Sequence, residues 1–211
     1  EGGYRTWRRQ VVARLHAAEP LPHRICLIDG PTGAGKTALL GALAALGEQA
    51  IDLEALAGHR GSLFGATAGG QPGQKLFESL LMDRLDRADP ARPLFLEAES
   101  SRIGNLAVPQ ALWLAMAAAP RVRLAADPSV RVRHILDHYG WIASDRAALL
   151  AAIDRLPSHH SKARKAEWAA LAEAGALELL VAGLIAEHYD PAYARSMARR
   201  GGDVLGAISL S

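Results

Sequence analysis

Eight consecutive residues carry the clearest chemical signal in this chain: Gly30-Pro31-Thr32-Gly33-Ala34-Gly35-Lys36-Thr37. They match G-x-x-x-x-G-K-[S/T], a pattern whose glycines let backbone N–H groups turn inward around an anion. The N-terminus of a following helix adds partial positive charge. Lys36 would bring a point charge to terminal phosphate oxygens, and the Thr37 hydroxyl would reach a Mg²⁺ ion. Gly30, Thr32, Gly33, Ala34, Gly35, Lys36 and Thr37 are therefore expected to hold a phosphate or diphosphate.

Mg²⁺-linked chemistry also needs a carboxylate at the end of a neighbouring buried strand. Phe95-Leu96-Glu97-Ala98-Glu99 offers Glu97 or Glu99. Asp52 and Glu54 close another apolar run, where the ligands of such sheets sit. Asp52 and Glu99 are the catalytic candidates among them. Arg131 and Arg133 follow a further strand, at a place suited to clamping phosphate. The Asn-Lys-x-Asp pattern that selects guanosine is absent, so the residues leave ATP, GTP and other diphosphates open as occupants. His134 and His138 share a helix at metal-ligand spacing, but no third ligand follows them. His159 and His160 read as an exposed pair, and Cys26 as a small apolar residue inside a strand.

These groups need a scaffold that carries strand ends to one edge. Arg24–Asp29 is a short apolar run bounded by glycine, as in a buried parallel strand. A helix is expected over 36–46 and a strand over 50–53. A long loop follows over 58–73, which holds six glycines and one proline. Helices are expected over 74–87, 109–118, 129–138, 144–156 (capped by Ser144), 162–174 and 176–188. Further strands are expected over 93–97, 121–125 and 204–210. Trp168, Leu171, Leu177, Leu180 and Leu184 form a stripe suited to a core. Alternating strands and helices make this an α/β chain with a three-layer, P-loop NTPase-like fold and a mostly parallel central sheet. Residues 1–22, with a basic helix over 4–18, read as a linker from a preceding domain, and 23–211 as the P-loop domain.

Composition excludes several classes. Half of the 211 residues are apolar and 22% are charged, which fits a soluble globular protein. No run of about 18 apolar residues is present for a membrane span, so no membrane partner is expected. Six charges spread over the first 20 residues exclude a secretory signal. A single cysteine excludes a disulfide framework, and the expected compartment is the cytoplasm. Net charge is only +2, although 20 of the 24 basic residues are arginine.

Several stretches together resemble one family, the tRNA 2-selenouridine synthases. They are Gly2-Gly3-Tyr4-Arg5, the phosphate loop, and the stretch 52–65 (DLEALAGHRGSLFG). The match continues through 71–78 (QPGQKLFE), 97–104 (EAESSRIG) and 188–196 (HYDPAYARS). The resemblance implies an enzyme that acts on the wobble uridine of a tRNA anticodon and exchanges the sulfur of 2-thiouridine for selenium. It further implies an S-geranyl intermediate made from geranyl diphosphate, with selenophosphate as selenium donor. It also implies a preceding rhodanese-like domain with a catalytic cysteine. That part is missing here, so the chain resembles the C-terminal domain alone, in keeping with a start at Glu1.

Within the matching stretches, Arg60 and Arg102 are candidates to absorb charge on a departing diphosphate. Leu63 and Phe64 are candidates to line a prenyl pocket. Arg5, Arg8, Arg9 and Arg14, with Arg195, Arg199 and Arg200, are candidate patches for tRNA. Two other readings stand beside this one. An ATP-dependent small-molecule kinase would use Asp52 as base and Arg131 with Arg133 as clamp. A non-catalytic module would bind nucleotide and tRNA only.

Overall fold

The apolar run 24–29 becomes a strand buried at five of its six positions, as a chain covered on both faces requires. The computed structural model describes residues 3–60, 69–138, 145–197 and 201–210. It divides into two compact units. The first comprises Glu1–Asp29, Lys36–Arg123 and Gly201–Ala207, and the second Gly30–Gly35, Leu124–Arg200 and Ile208–Ser211.

The first unit runs α1 (Gly3–Leu15), β1 (Arg24–Asp29), α2 (Lys36–Ala45), β2 (Gln49–Ile51), α3 (Leu53–Ala57), α4 (Gln74–Arg87), β3 (Pro93–Glu97), β4 (Arg102–Ile103), β5 (Leu106–Ala107), α5 (Gln110–Ala118) and the start of β6 (Arg121–Ala126). With β7 (Val204–Leu210) the main sheet has the order β2-β3-β1-β6-β7. The pairs β2–β3, β3–β1 and β1–β6 are parallel, and Ile28 stands opposite Glu97 in the register. Parallel neighbours need crossovers, and helices supply them. Ile25, Leu27, Leu94 and Leu96 join one core with Val11 and Leu15 of α1, Phe77 and Leu81 of α4 and Leu112 of α5. α2, whose buried Leu40 lies outside that cluster, packs on β1, β2 and β3. The α/β class and the mostly parallel sheet are as expected.

α1 is the basic helix expected near the N-terminus. Arg8 pairs with the buried Glu78 of α4, and Arg14 with Asp86 of the same helix at 2.6 Å. Arg5 and Arg9 stay exposed beside Tyr4 and Trp7.

Two details differ from expectation in this unit. The strand expected over 50–53 ends at Ile51, because the Asp52 carboxylate accepts the Ala55 N–H at 2.7 Å and caps α3. β4 and β5 form an antiparallel pair of two residues each, too short to leave a periodic signature.

The second unit is helical: α6 (Pro128–His138), α7 (Arg146–Asp154), α8 (Lys162–Glu173), α9 (Leu177–Leu184) and α10 (Asp190–Met197). Trp168, Leu180, Leu184, Leu149 and Ile153 are buried, so much of the expected apolar stripe is core, while Leu171 and Leu177 are half-buried. The cap of α7 is Asp145, which accepts the Ala148 N–H at 2.9 Å; Ser144 lies outside the described residues. The helix expected to stop at 188 continues instead through a π turn, Ile185–Tyr189, into α10. Pro191 cannot donate to the turn before it. The ladder is re-spaced just upstream, with the Asp190 N–H donating to the Ile185 carbonyl. No described helix is long and apolar enough to cross a membrane.

Candidate functional site

β1 hands the chain to the glycine-rich loop, which hands it to α2. Within the second unit, Gly33 has φ +81°, and a Cβ there would stand 3.0 Å from the Arg131 carbonyl oxygen. Gly35 has φ +82°. Both conformations are open to glycine and strained for other residues. A turn closed by the Ala34 N–H on the Pro31 carbonyl at 3.1 Å completes the loop. This is the backbone shape that the sequence pattern requires.

Arg131 holds that loop from α6. Its Nε donates to the Thr32 carbonyl at 2.8 Å, and its Nη1 and Nη2 donate to the two carboxylate oxygens of Asp190 at 3.0 and 2.6 Å. The side chain is 4% exposed. Arg131 thus has a protein partner on each nitrogen, whereas Arg133 is exposed on α6. Asp190 belongs to the 188–196 stretch quoted above, and sequence reasoning gave it no role.

The first unit carries an acidic cluster of its own. Glu97 ends β3 and is only 2% exposed. The Thr37 hydroxyl hydrogen-bonds its carboxylate, while its Oε1 is buried with no hydrogen-bond partner. Glu54 of α3 and Glu99, just past β3, bring one carboxylate oxygen each to within 4.8 Å of one another and of Glu97. Burial lifts the Glu97 carboxyl to about 7, with the Thr37 hydrogen bond and Lys36 opposing and Glu99 and Asp52 adding to the rise. Burial, then Glu99 and Glu97, push Glu54 well above the usual carboxylate range, against the pull of Lys36. Such a set, with hard oxygen donors beside a threonine hydroxyl, suits Mg²⁺. The orphaned Oε1 is a ligand atom lacking a partner, so the residues present fit the ion.

Sequence reading placed Lys36, Thr37, Asp52, Glu54, Glu97 and Glu99 in this region, and the structure brings them together. Asp52 spends one oxygen on the α3 cap. Arg60 is exposed, and Arg102 is exposed with its Nη2 donating to the Asn105 carbonyl at 3.1 Å. Leu63, Phe64, Arg199 and Arg200 lie outside the described residues.

An apolar cavity of about 630 Å³ is lined by Leu21, Arg24, Pro93, Phe95, Ala119 and Leu205, among others. Arg24 and Pro93 begin β1 and β3, so it opens at the sheet end opposite Glu97. Cys26 lines it, and burial raises its thiol, as suits an unreactive apolar group. His134 and His138 stack at 4.0 Å, and the described residues bring no third ligand to them.

Residues 23–155 match the family model described as the tRNA 2-selenouridine synthase AAA domain. A tRNA 2-selenouridine synthase of Hahella chejuensis is 43% identical over 141 residues, covering 65% of this chain and 36% of that protein. One of Marinobacter nauticus is 32% identical and covers 97% of this chain and 62% of the relative. One of Pseudomonas syringae pv. syringae is 34% identical, covering 92% and 59%. The chain therefore spans between about a third and three fifths of these relatives' length. A solved Thermus thermophilus structure, TT1252, aligns at a TM-score of 0.40 and 16% identity over 92% of this chain and 90% of that one.

Proposed function

The chain belongs to the tRNA 2-selenouridine synthase family, and from that premise we propose that it is the diphosphate-handling part of an enzyme that converts wobble 2-thiouridine to 2-selenouridine by way of S-geranylation. In this reading the donor is geranyl diphosphate and selenophosphate later supplies the selenium. A rhodanese-like domain of the whole protein completes the exchange.

The sulfur of 2-thiouridine attacks the allylic carbon of the donor. A C–S bond forms, the C–O bond breaks, the electron pair leaves with diphosphate, and the N3 proton of the base is released to water, so that the S-alkylated base is neutral. The loop amides of 33–35 and the Lys36 ammonium hold that diphosphate and absorb its growing charge. Arg60 and Arg102 are the further cations assigned to the leaving group. Thr37, Glu54, Glu97 and Glu99 would hold Mg²⁺, which when bound neutralises diphosphate charge. Arg131, tied to Asp190, keeps the Thr32 carbonyl in place and so acts as a positioning residue.

For tRNA, exposed Arg5 and Arg9 with Tyr4 and Trp7 on α1 offer charge and stacking surface. An anticodon base is already single-stranded, which lowers the cost of presenting it.

The observation that carries this reading is the Thr37–Glu97 contact: a motif hydroxyl bonded to a buried strand-end carboxylate whose other oxygen is left for a cation. The test is to incubate the chain with a 2-thiouridine tRNA, Mg²⁺ and geranyl diphosphate, then analyse digested nucleosides by mass spectrometry. S-geranyl-2-thiouridine that disappears in Lys36→Ala is the expected result. Binding of tRNA without product would make the chain a presenting module. Neither binding nor product would return it to the ATP-dependent kinase reading.

A further inference from the structure

A second cluster lies outside the phosphate site, in the helical unit. His159 and His160 stand in the turn before α8, and His188 lies in the π turn, 28 positions after His160. Nε2 of His160 is 3.1 Å from Nδ1 of His188. The His159 ring centroid is 4.1 Å from that of His160 and 6.4 Å from that of His188. One ring nitrogen from each of the three falls within 4.8 Å of the other two. We propose that His159, His160 and His188 form a binding site for one divalent transition-metal ion of the zinc class.

The geometry favours ligation. A tetrahedral Zn²⁺ with bonds of about 2.0–2.1 Å holds two imidazole nitrogens roughly 3.3 Å apart. The His160–His188 pair already has close to that separation. His159 is exposed, so its ring can swing the remaining distance without disturbing a core. His160 is 8% exposed and its ring meets the edge of the buried Trp168 at 5.0 Å, so one ligand is fixed by packing.

A single hydrogen bond between two imidazoles accounts for His160 and His188. It gives no reason for a third histidine to converge on them.

The chemistry selects the class of ion. Three imidazole nitrogens are borderline donors that suit Zn²⁺, Cu²⁺ or Ni²⁺ and not the hard Mg²⁺ or Ca²⁺. The nearest carboxylate on the π turn, Glu187, is engaged by Arg164, which also pairs with Glu167. π turns concentrate at functional positions, and this one carries His188. An ion here would cross-link the turn before α8 to the π turn, two residues before Asp190.

The experiment uses the tag-free chain in excess Mg²⁺, which occupies carboxylate sites, titrated with Co²⁺ and then with Zn²⁺. The expected result is one Co²⁺ per chain with the intense visible bands of nitrogen ligation, displaced by Zn²⁺. His159→Ala, whose exposed site leaves the fold intact, should weaken uptake by at least about tenfold, and His188→Ala should abolish it. No stoichiometric uptake, weak octahedral bands only, or uptake unchanged in His159→Ala would overturn the site.

Discussion

Arg131 and Asp190 form a bidentate ion pair, at 3.0 and 2.6 Å, while the same guanidinium holds the Thr32 carbonyl at 2.8 Å. A planar fork with a donor on each nitrogen can serve both partners, and lysine cannot. Asp190→Ala leaves a buried cation with one partner. The expected loss is about 2–4 kcal/mol of stability in urea denaturation. Diphosphate affinity, read by calorimetry, should weaken as well. Arg131→Lys should weaken affinity while recovering only part of the stability. Unchanged diphosphate affinity in both variants would remove the positioning role.

In the proposed reading Lys36 and Thr37 meet the diphosphate. In Lys36→Ala and Thr37→Ala its binding should fall at least about tenfold, the equivalent of one charge-assisted hydrogen bond, and Thr37→Ala should also lose about 1–3 kcal/mol of stability because the buried Glu97 carboxylate loses its hydroxyl partner. Mg²⁺ should cease to strengthen binding in Thr37→Ala. Unchanged diphosphate binding in both variants would identify these residues as structural.

Glu97 gives a pH dependence with a definite sign. The unfolded carboxyl titrates near 4.5 and the folded one near 7. Between those values the unfolded chain sheds its proton first, so in Mg²⁺-free buffer Glu97 makes stability fall as pH rises from about 4.5 to 7, and Glu54, raised to about 9, extends the fall beyond that. Glu97→Gln removes the Glu97 part of that slope. It should be more stable than the parent at pH 8 by about 2–3 kcal/mol, converging with it near pH 4, and it should lose Mg²⁺ binding. Parallel stability curves for the two proteins would contradict this.

Glu78 is the opposite case. Burial alone would raise its carboxyl, but hydrogen bonds from Arg8, Gln74 and His16 outweigh burial and hold it below the usual 4.5. Its contribution is present above pH 4.5 and is lost as pH falls through the depressed value. Glu78→Gln should destabilise at pH 7 by roughly 3 kcal/mol, and the gap should narrow in acid. Denaturation midpoints at pH 7 and pH 3 provide the check.

Asp52→Ala should cost about 1 kcal/mol through loss of the α3 cap. Asp52→Asn keeps a capping oxygen and should retain geranyl transfer. Loss of transfer in the asparagine variant, with stability intact, would assign the carboxylate to the chemistry.

Much of this scaffold is legible from residue pattern. β1 and β3 are unbroken apolar runs, and the loop between β1 and α2 has the glycines its left-handed turns need. What escaped has local causes. Asp52 reads as the end of a strand until its carboxylate is seen on the Ala55 N–H. Two-residue strands such as β4 and β5 are too short for alternation to show. The helix expected over 176–188 runs on, and the π turn that accommodates Pro191 is visible only in the hydrogen-bond spacing. In the candidate site, Glu97 and Glu99 follow from strand position. Glu54 follows likewise from its place after the second apolar run. Asp190 and His188 were invisible because their partners, Arg131, His159 and His160, are 59, 29 and 28 residues away.

The β1–β3 pairing sets a schedule for the newborn chain. Arg24 pairs with Pro93, so on the ribosome the start of β1 emerges 69 residues before the strand that must lie beside it. At about 5–20 residues per second that is a wait of several seconds. Throughout it, an apolar strand exists without the β3 neighbour that covers its edge.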